Sequence, residues 1–341
     1  MTLCIAYIRQ ANDTEELIFA TDSCLTGGEK WKHGIKLFKL PKKDCLLCFA
    51  GSTGRAYPLV LNLVSSIHLD KNLQSPDASL EDVLDYLSNL FTDLTSKIIS
   101  EIKGEDIHAL RSGVQFLFGG WDWQKGPTGA FRVWKLFYSR DIEGFIFDEL
   151  TNNGSKKRFY TFLSDPGEME EEAKKRYKDL LYNRDKQDDP IDMEPLMILR
   201  DMVTQGVNRA IDGSLQIAKV YKSNRSEFFG IYWQSSKGKP CFQGREYKEI
   251  NKPLVRYFDP DTFEIIESDL PNTLSNIEEE LYLDNFQFVR ECYDEAGYLK
   301  DNLPDKSKHT LRLILKEVAY RQFLGQQEKN PQGSSTNDDI S

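Results

Sequence analysis

"TLCIAYIRQANDTEELIFATDSCLTGG" (residues 2–28) sets two apolar runs around a polar one. The runs "TLCIAYI" and "ELIFATDS" flank "RQANDTE", which predicts an antiparallel hairpin with a loop of several residues. The same stretch poses a chemical question, because Met1 is followed directly by Thr2. Thr is small enough for the initiator Met to be cleaved, which would leave Thr2 with a free α-amine beside its hydroxyl. The question is whether the rest of the chain builds a site around that residue.

Working outward, "IKLFKL" and "DCLLCFAG" flank "PKKD" and predict a second hairpin. "STGRAYPLVLNLVSSIHL" places Leu59, Leu63 and Ile67 at helical spacing, with Pro58 tolerable near the first turn. In "SLEDVLDYLSNLFTDLTSKIISEI" the apolar residues from Leu80 to Ile102 recur every three or four positions. Ser79 and Asp82 supply a capping-box start for that helix. Strands resume with "GVQFLFGGWD", "FRVWKLFYS", "EGFIFDEL" and "KRFYTFLSDPGE". Two helices are predicted over 168–182 and 193–211, then a strand pair in "LQIAKVYKS" and "EFFGIYWQS".

Strands, two helices, strands, two helices, strands is not a regular βαβ alternation; it predicts an α+β protein with antiparallel sheets covered by helix pairs. Beyond residue 236 the chain turns Pro- and charge-rich, then reads as helical over 275–299 and 308–324. We therefore expect a domain over 1–236, a C-terminal, partly helical extension over 237–325 and a disordered polar tail over 326–341.

Composition removes several function classes. A net charge of −10 lacks the basic footprint of a nucleic-acid binder. No signal-peptide pattern or bilayer-length apolar run occurs, so no membrane partner and a cytoplasmic location are expected. The six cysteines are scattered, and the CxxC of Cys45 and Cys48 lies in an apolar strand, where i and i+3 point to opposite faces. That reads as buried structural thiols rather than a redox or zinc motif. The four histidines form no HxxxH or HxH pair, and no GxSxG, GxGxxG or GxxxxGK[ST] occurs.

Taken together, "MTLCIAYI", "IFATDSCLTGG", "IKLFKL", "CFAGSTG" and "FLFGGWDWQKG" resemble, in order, the proteasome β-subunit family of N-terminal-nucleophile (Ntn) hydrolases, with its bacterial HslV and Anbu relatives. The resemblance covers residues 1–236. It implies a four-layer αββα sandwich, a peptide or protein substrate, and homo-oligomeric assembly into a ring or related array. It places Thr2 at the nucleophile, Asp22 and Lys36 at the charge pair, and Gly51 at the oxyanion donor. It further implies a supporting Ser at Ser164 and a second Asp/Ser pair at Asp212 and Ser214, where loop-turn and strand-start roles are equally open. Thr26 falls at a substrate-contacting Thr, and Leu25, Gly34, Phe38 and Phe49 at the pocket before the scissile bond. Phe38 and Phe49 read equally well as sandwich core. Cys24 stands where many relatives carry Arg.

Physical chemistry gives these residue types a common purpose. A Thr hydroxyl needs a base, and an α-amine with a pKa of about 7.7–8.0 supplies one near neutral pH without a histidine. A buried Lys36 ammonium would favour the neutral amine, Asp22 would offset the cost of burying it, and the Gly51 N–H would stabilise the oxyanion. No metal or organic cofactor is required. The function expected is that of a threonine-dependent peptidase or amidohydrolase. A catalytically silent ring subunit retaining Met1, or a stand-alone amidohydrolase for small amides, are the alternatives.

Overall fold

In the structure, a computed structural model, residues 2–11, 14–27, 29–40, 44–73, 75, 77–99, 104, 106–151, 158–164, 167–223, 225–233, 238–248, 252–253, 255–266, 270, 285–315 and 318 are described. The tail expected over 326–341 lies outside them, as do residues 316–317 and 319–324 of the helix expected over 308–324.

The predicted first hairpin is β1 (Leu3–Ala11) and β2 (Thr14–Asp22), in register from Cys4↔Thr21 to Ala11↔Thr14. A short ribbon follows, β3 (Leu25–Thr26) against β4 (Lys30–Trp31). The second hairpin is β5 (Leu37–Lys39) with β6 (Cys45–Gly51). Helices α1 (Thr53–Ser66), α2 (Leu80–Ser96) and the short α3 (Ile107–Arg111) lead to β7 (Val114–Asp122), β8 (Ala130–Ser139) and β9 (Gly144–Glu149). Then come β10 (Tyr160–Ser164), α4 (Glu168–Asn183), α5 (Glu194–Thr204), β11 (Leu215–Tyr221) and β12 (Arg225–Ile231). The chain continues through β13 (Cys241–Phe242), β14 (Arg245–Glu246) and β15 (Tyr257–Phe258).

One sheet runs β10-β1-β2-β11-β12-β13-β14, with β15 also on β12; the other runs β5-β6-β7-β8-β9. All the pairings of the two sheets described here are antiparallel except β12 with β15, so the fold is α+β. Period-2 alternation sorts the strand side chains into separate cores. Leu3, Ile5 and Tyr7 pack with residues of α4 and α5 such as Tyr177 and Leu199. Cys4 and Ala6, on the other face of β1, pack with Leu46, Cys48 and Ala50 of β6, so the two sheets share a core. Cys45, Leu47 and Phe49 pack with Leu59, Leu63, Leu84 and Phe91 of α1 and α2. The CxxC cysteines thus sit on opposite faces of β6. All six cysteines are free and buried, and burial pushes the Cys48 thiol well up.

Helix ends depart from the sequence reading for local reasons. The Ser79–Asp82 capping box forms, yet α2 stops at Ser96 rather than near Ile102. Its last turn tightens through i→i+3 bonds, Lys97 N to Leu94 O and Ile98 N to Thr95 O, and Arg111 Nη2 donates to the Ser96 carbonyl. Helix α5 stops at Thr204, not Ile211, in a Schellman arrangement. Gly206 (φ 61°) donates to Val203 O and Val207 donates to Met202 O. Pro58 lies in the second turn of α1, one turn deeper than expected.

Arg132 on β8 ties the second sheet together. It forks onto Glu149 of β9 at 3.0 and 2.7 Å, and meets Asp122 of β7 at 2.9 Å and Glu81 of α2 at 2.6 Å. Its guanidinium also lies 4.5 Å from the Trp134 ring. These bonds hold the Glu149 carboxyl below the usual range against the opposing effect of burial. A lysine cannot make the planar fork, so Arg132→Lys is expected to cost roughly 1.5–3 kcal/mol in urea unfolding.

By internal contacts the chain divides into Met1–Pro253 with Tyr257–Ile265, and Leu254–Arg256 with Ile266–Ser341. Strands β13 to β15 carry the first sheet past residue 236. The second unit has its own core of Leu270, Val289, Cys292, Tyr293, Leu311, Ile314 and Val318. Of the helix expected over 275–299, residues 285–299 are described, and the helix there is only α6 (Phe286–Glu291). After it, Asp294 takes the Tyr298 N–H on its side chain and closes a turn. Residues 305–315 are helical. Among the described residues no helix is long and apolar enough to cross a membrane.

Candidate active site

Three side chains from three strand ends meet in the first unit. Thr2 precedes β1, Asp22 ends β2, and Lys36 precedes β5. Lys36 Nζ donates to Thr2 Oγ1 and to Asp22 Oδ2, each at 2.8 Å. Asp22 and Lys36 have no exposed surface and Thr2 has 2%. Asp22 is also bonded on both oxygens by backbone: Oδ1 accepts Leu3 N–H at 3.1 Å and Oδ2 accepts Cys24 N–H at 2.9 Å. The hairpin register explains the meeting, since pairing Cys4 with Thr21 leaves Leu3 and Asp22 as the next neighbours at the open end. A buried ion pair of this kind needs its remaining donors and acceptors satisfied, and here the carboxylate has three partners.

Lys36 is held by a residue the sequence reading did not single out. Gln216 Oε1 accepts the Lys36 and Leu37 N–H groups at 3.0 and 3.2 Å, while its Nε2 donates to Gly34 O at 2.5 Å. Its neighbours Ile217 and Ala218 face the helix-side and inter-sheet cores respectively, so alternation puts Gln216 on the inter-sheet face. A buried glutamine at an apolar-phase position was the available signal. Ser23 is a second such residue: its Oγ accepts Ser214 N–H at 2.8 Å and donates to Lys32 O.

Gly51 ends β6 at φ 117°, a conformation L side chains rarely adopt, and Ser52 then caps α1. Ser164 pairs with Leu3 across β10 and β1, and its Oγ accepts the Glu170 N–H at 2.9 Å at the start of α4. Asp212 carries Lys30 at 2.6 Å and Lys32 at 3.0 Å, and Ser214 Oγ donates to the Leu215 carbonyl. Leu25 packs directly over Gly34, where a Cβ would fall 2.1 Å from the Leu25 Cγ. Thr26 pairs with Lys30 in the β3–β4 ribbon. Phe49 has no exposed surface and packs with Phe38, Tyr57 and Phe116, so it is core in this conformation, while Phe38 is half-buried. Cys24, in the position where relatives carry Arg, has a buried thiol whose pKa is raised first by burial and then by Asp22.

Asp212 is paired with Lys30 and Lys32, not with Lys36. Burial opposes its ionisation, but Lys30, the Gly213 N–H and Lys32 bring its pKa down to about 2. A depressed carboxyl adds stability that is full above its unfolded value of about 3.9 and is lost as pH falls toward the folded value. Asp212→Asn should therefore lower Tm at neutral pH and flatten its fall between about pH 4 and pH 2, where both proteins converge.

Among the described residues no group of three or more His, Cys, Asp or Glu side chains is arranged to hold a metal ion. No family model matches the sequence, and no curated protein matches it. Among solved structures the chain is similar to Anbu (ancestral beta-subunit) from Yersinia bercovieri, at 16% identity and a TM-score of 0.44. The match covers 66% of this chain and 86% of that one.

Proposed function

We propose that this chain is an N-terminal threonine hydrolase of proteasomal type, built as a four-layer αββα sandwich and cleaving amide bonds in peptides. The observation that carries the reading is the direction of one hydrogen bond. Lys36 Nζ donates to Thr2 Oγ1, so the threonine oxygen is an acceptor from the cation and its own proton is free to leave toward a base. With Met1 removed, that base is the Thr2 α-amine.

In this mechanism Thr2 Oγ attacks the substrate carbonyl and its proton passes to the α-amine. Lys36 stabilises the charge developing on Oγ, and Asp22 holds Lys36 in place. The Gly51 N–H serves as donor to the oxyanion. Collapse breaks the C–N bond, the leaving amine takes the proton from the α-ammonium, and an acyl-threonine ester remains. Water then adds to the ester with the α-amine again as base, releasing the acid and regenerating the hydroxyl. Gln216 is a positioning residue in this account, fixing the backbone that carries Lys36. On the same reading the chain assembles with copies of itself in the cytoplasm, which native mass spectrometry would count.

The test is the intact mass of the purified native protein together with its N-terminal sequence. Thr2 as first residue leaves the reading standing. A fully retained Met1 removes the base and makes the chain a silent scaffold of the same fold.

A further inference from the structure

The β13–β14 hairpin lies past residue 236, beyond the stretch in which the sequence reading placed the hydrolase domain, yet its tip rests on the loop that carries Lys36. Cys241 pairs with Glu246 and Phe242 with Arg245, which leaves Gln243 and Gly244 as a two-residue turn. Both have positive φ, 50° and 79°, as a type I′ hairpin turn requires. Cys241 also pairs with Ile231 of β12, and the Tyr247 N–H donates to the Pro240 carbonyl, so the hairpin is fixed to the first sheet. At the tip, His33 Nδ1 lies 2.7 Å from the Gly244 carbonyl, and since a carbonyl only accepts, that nitrogen carries the proton. Gly244 itself is buried. A Cβ built there would fall 2.7 Å from Ser23 Cβ and 3.2 Å from both Gln216 Nε2 and the Gly34 carbonyl.

Those three neighbours are the groups that hold the Lys36 loop. Ser23 follows Asp22, and its carbonyl accepts the Gly34 N–H at 2.8 Å. Gln216 Nε2 donates to the Gly34 carbonyl, and its Oε1 accepts the Lys36 and Leu37 N–H groups. A glycine at the tip thus lets the hairpin close on Ser23, Gly34 and the bridging amide at once, where a Cβ would press them apart. The placement matters because Lys36 Nζ stands 2.8 Å from both Thr2 Oγ1 and Asp22 Oδ2. A shift of about 1 Å in such a group can cost on the order of 10²-fold in rate. We propose that the tip of this hairpin sets the position of Lys36 against Thr2, with Gly244 and His33 as positioning residues. In its catalytic part the proposal rests on the threonine-hydrolase reading.

The test compares Gly244→Ala, His33→Ala and His33→Asn in the full chain, by peptide hydrolysis and by hydrogen exchange of the 34–37 amides read by mass spectrometry. Gly206→Ala is the control, since Gly206 also has a positive φ (61°) but no described atom within 4 Å of an added Cβ. Gly244→Ala is expected to lower kcat at least about ten-fold with KM within about two-fold, because Lys36 acts on charge that develops in the transition state. Exchange at the Lys36 and Leu37 amides should rise at least about ten-fold, with β6 and β7 unchanged. His33→Ala should move both readouts the same way by about three-fold, the size of one lost hydrogen bond. His33→Asn, whose amide nitrogen can donate from the Nδ1 position, should bring both back toward wild type. Gly206→Ala adds comparable backbone strain without the clash and should leave kcat within about two-fold. Wild-type kcat and exchange in Gly244→Ala would overturn the proposal. So would an equal loss in Gly206→Ala, or faster exchange throughout both sheets, since each marks plain destabilisation. If Gly244→Ala does not fold, the His33 pair decides, and no loss in His33→Ala or no recovery in His33→Asn sinks the idea. A wild type without Thr2-dependent hydrolysis ends the hydrolase reading, while exchange at Lys36 still decides the positioning.

Discussion

Thr2→Ala is expected to lower kcat/KM on a fluorogenic peptide by at least about 10³-fold, since a lone nucleophile has no substitute in a unit of this kind. The protein itself should survive the change. Thr2 is buried at a strand end, and alanine keeps the backbone that pairs β1 with β2 and β10. The loss of one acceptor for Lys36 is expected to shift unfolding by about 1–2 kcal/mol, with the far-UV spectrum unchanged. Thr2→Ser keeps both hydroxyl and α-amine and should retain activity within about 10²-fold of wild type. Turnover by Thr2→Ala comparable to wild type would place the chemistry elsewhere and end the proposed mechanism.

Lys36→Met separates catalysis from stability. Removing the cation leaves the Asp22 carboxylate buried with two backbone N–H partners and no counter-charge. Breaking such a pair by truncating one member costs about 3–5 kcal/mol, so the urea midpoint should fall sharply and activity should vanish. Asp22→Asn combined with Lys36→Met removes the stranded charge while keeping a side-chain carbonyl for backbone N–H groups. That double variant should recover most of the stability and none of the activity. If activity returned with stability, Lys36 would be a structural ion-pair partner alone. If Lys36→Met cost less than about 1 kcal/mol, the buried pair would not exist in solution as described.

The cores were legible because they are periodic. "LCIAY" alternates, so Leu3, Ile5 and Tyr7 face the helices and Cys4 and Ala6 face the other sheet. The same period parted Cys45 from Cys48 and disposed of the CxxC as a site. The helix ends were less legible, because Gly206 and Arg111 end helices through backbone geometry and a bond from another element. Thr2, Asp22 and Lys36 could be named from the sequence through resemblance, whereas their 2.8 Å contacts could not.

The amino-acid order by itself determined the α+β class, the first hairpins, the capped start of α2 and the absence of the common catalytic motifs. Each depends on neighbours a few residues apart, where spacing and side-chain type set conformation and burial. The tertiary structure alone decided that Gln216 braces Lys36 from 180 residues away and that Asp212 is taken up by Lys30 and Lys32. These contacts arise where separate elements pack, and no local period encodes which distant polar groups will be left facing one another.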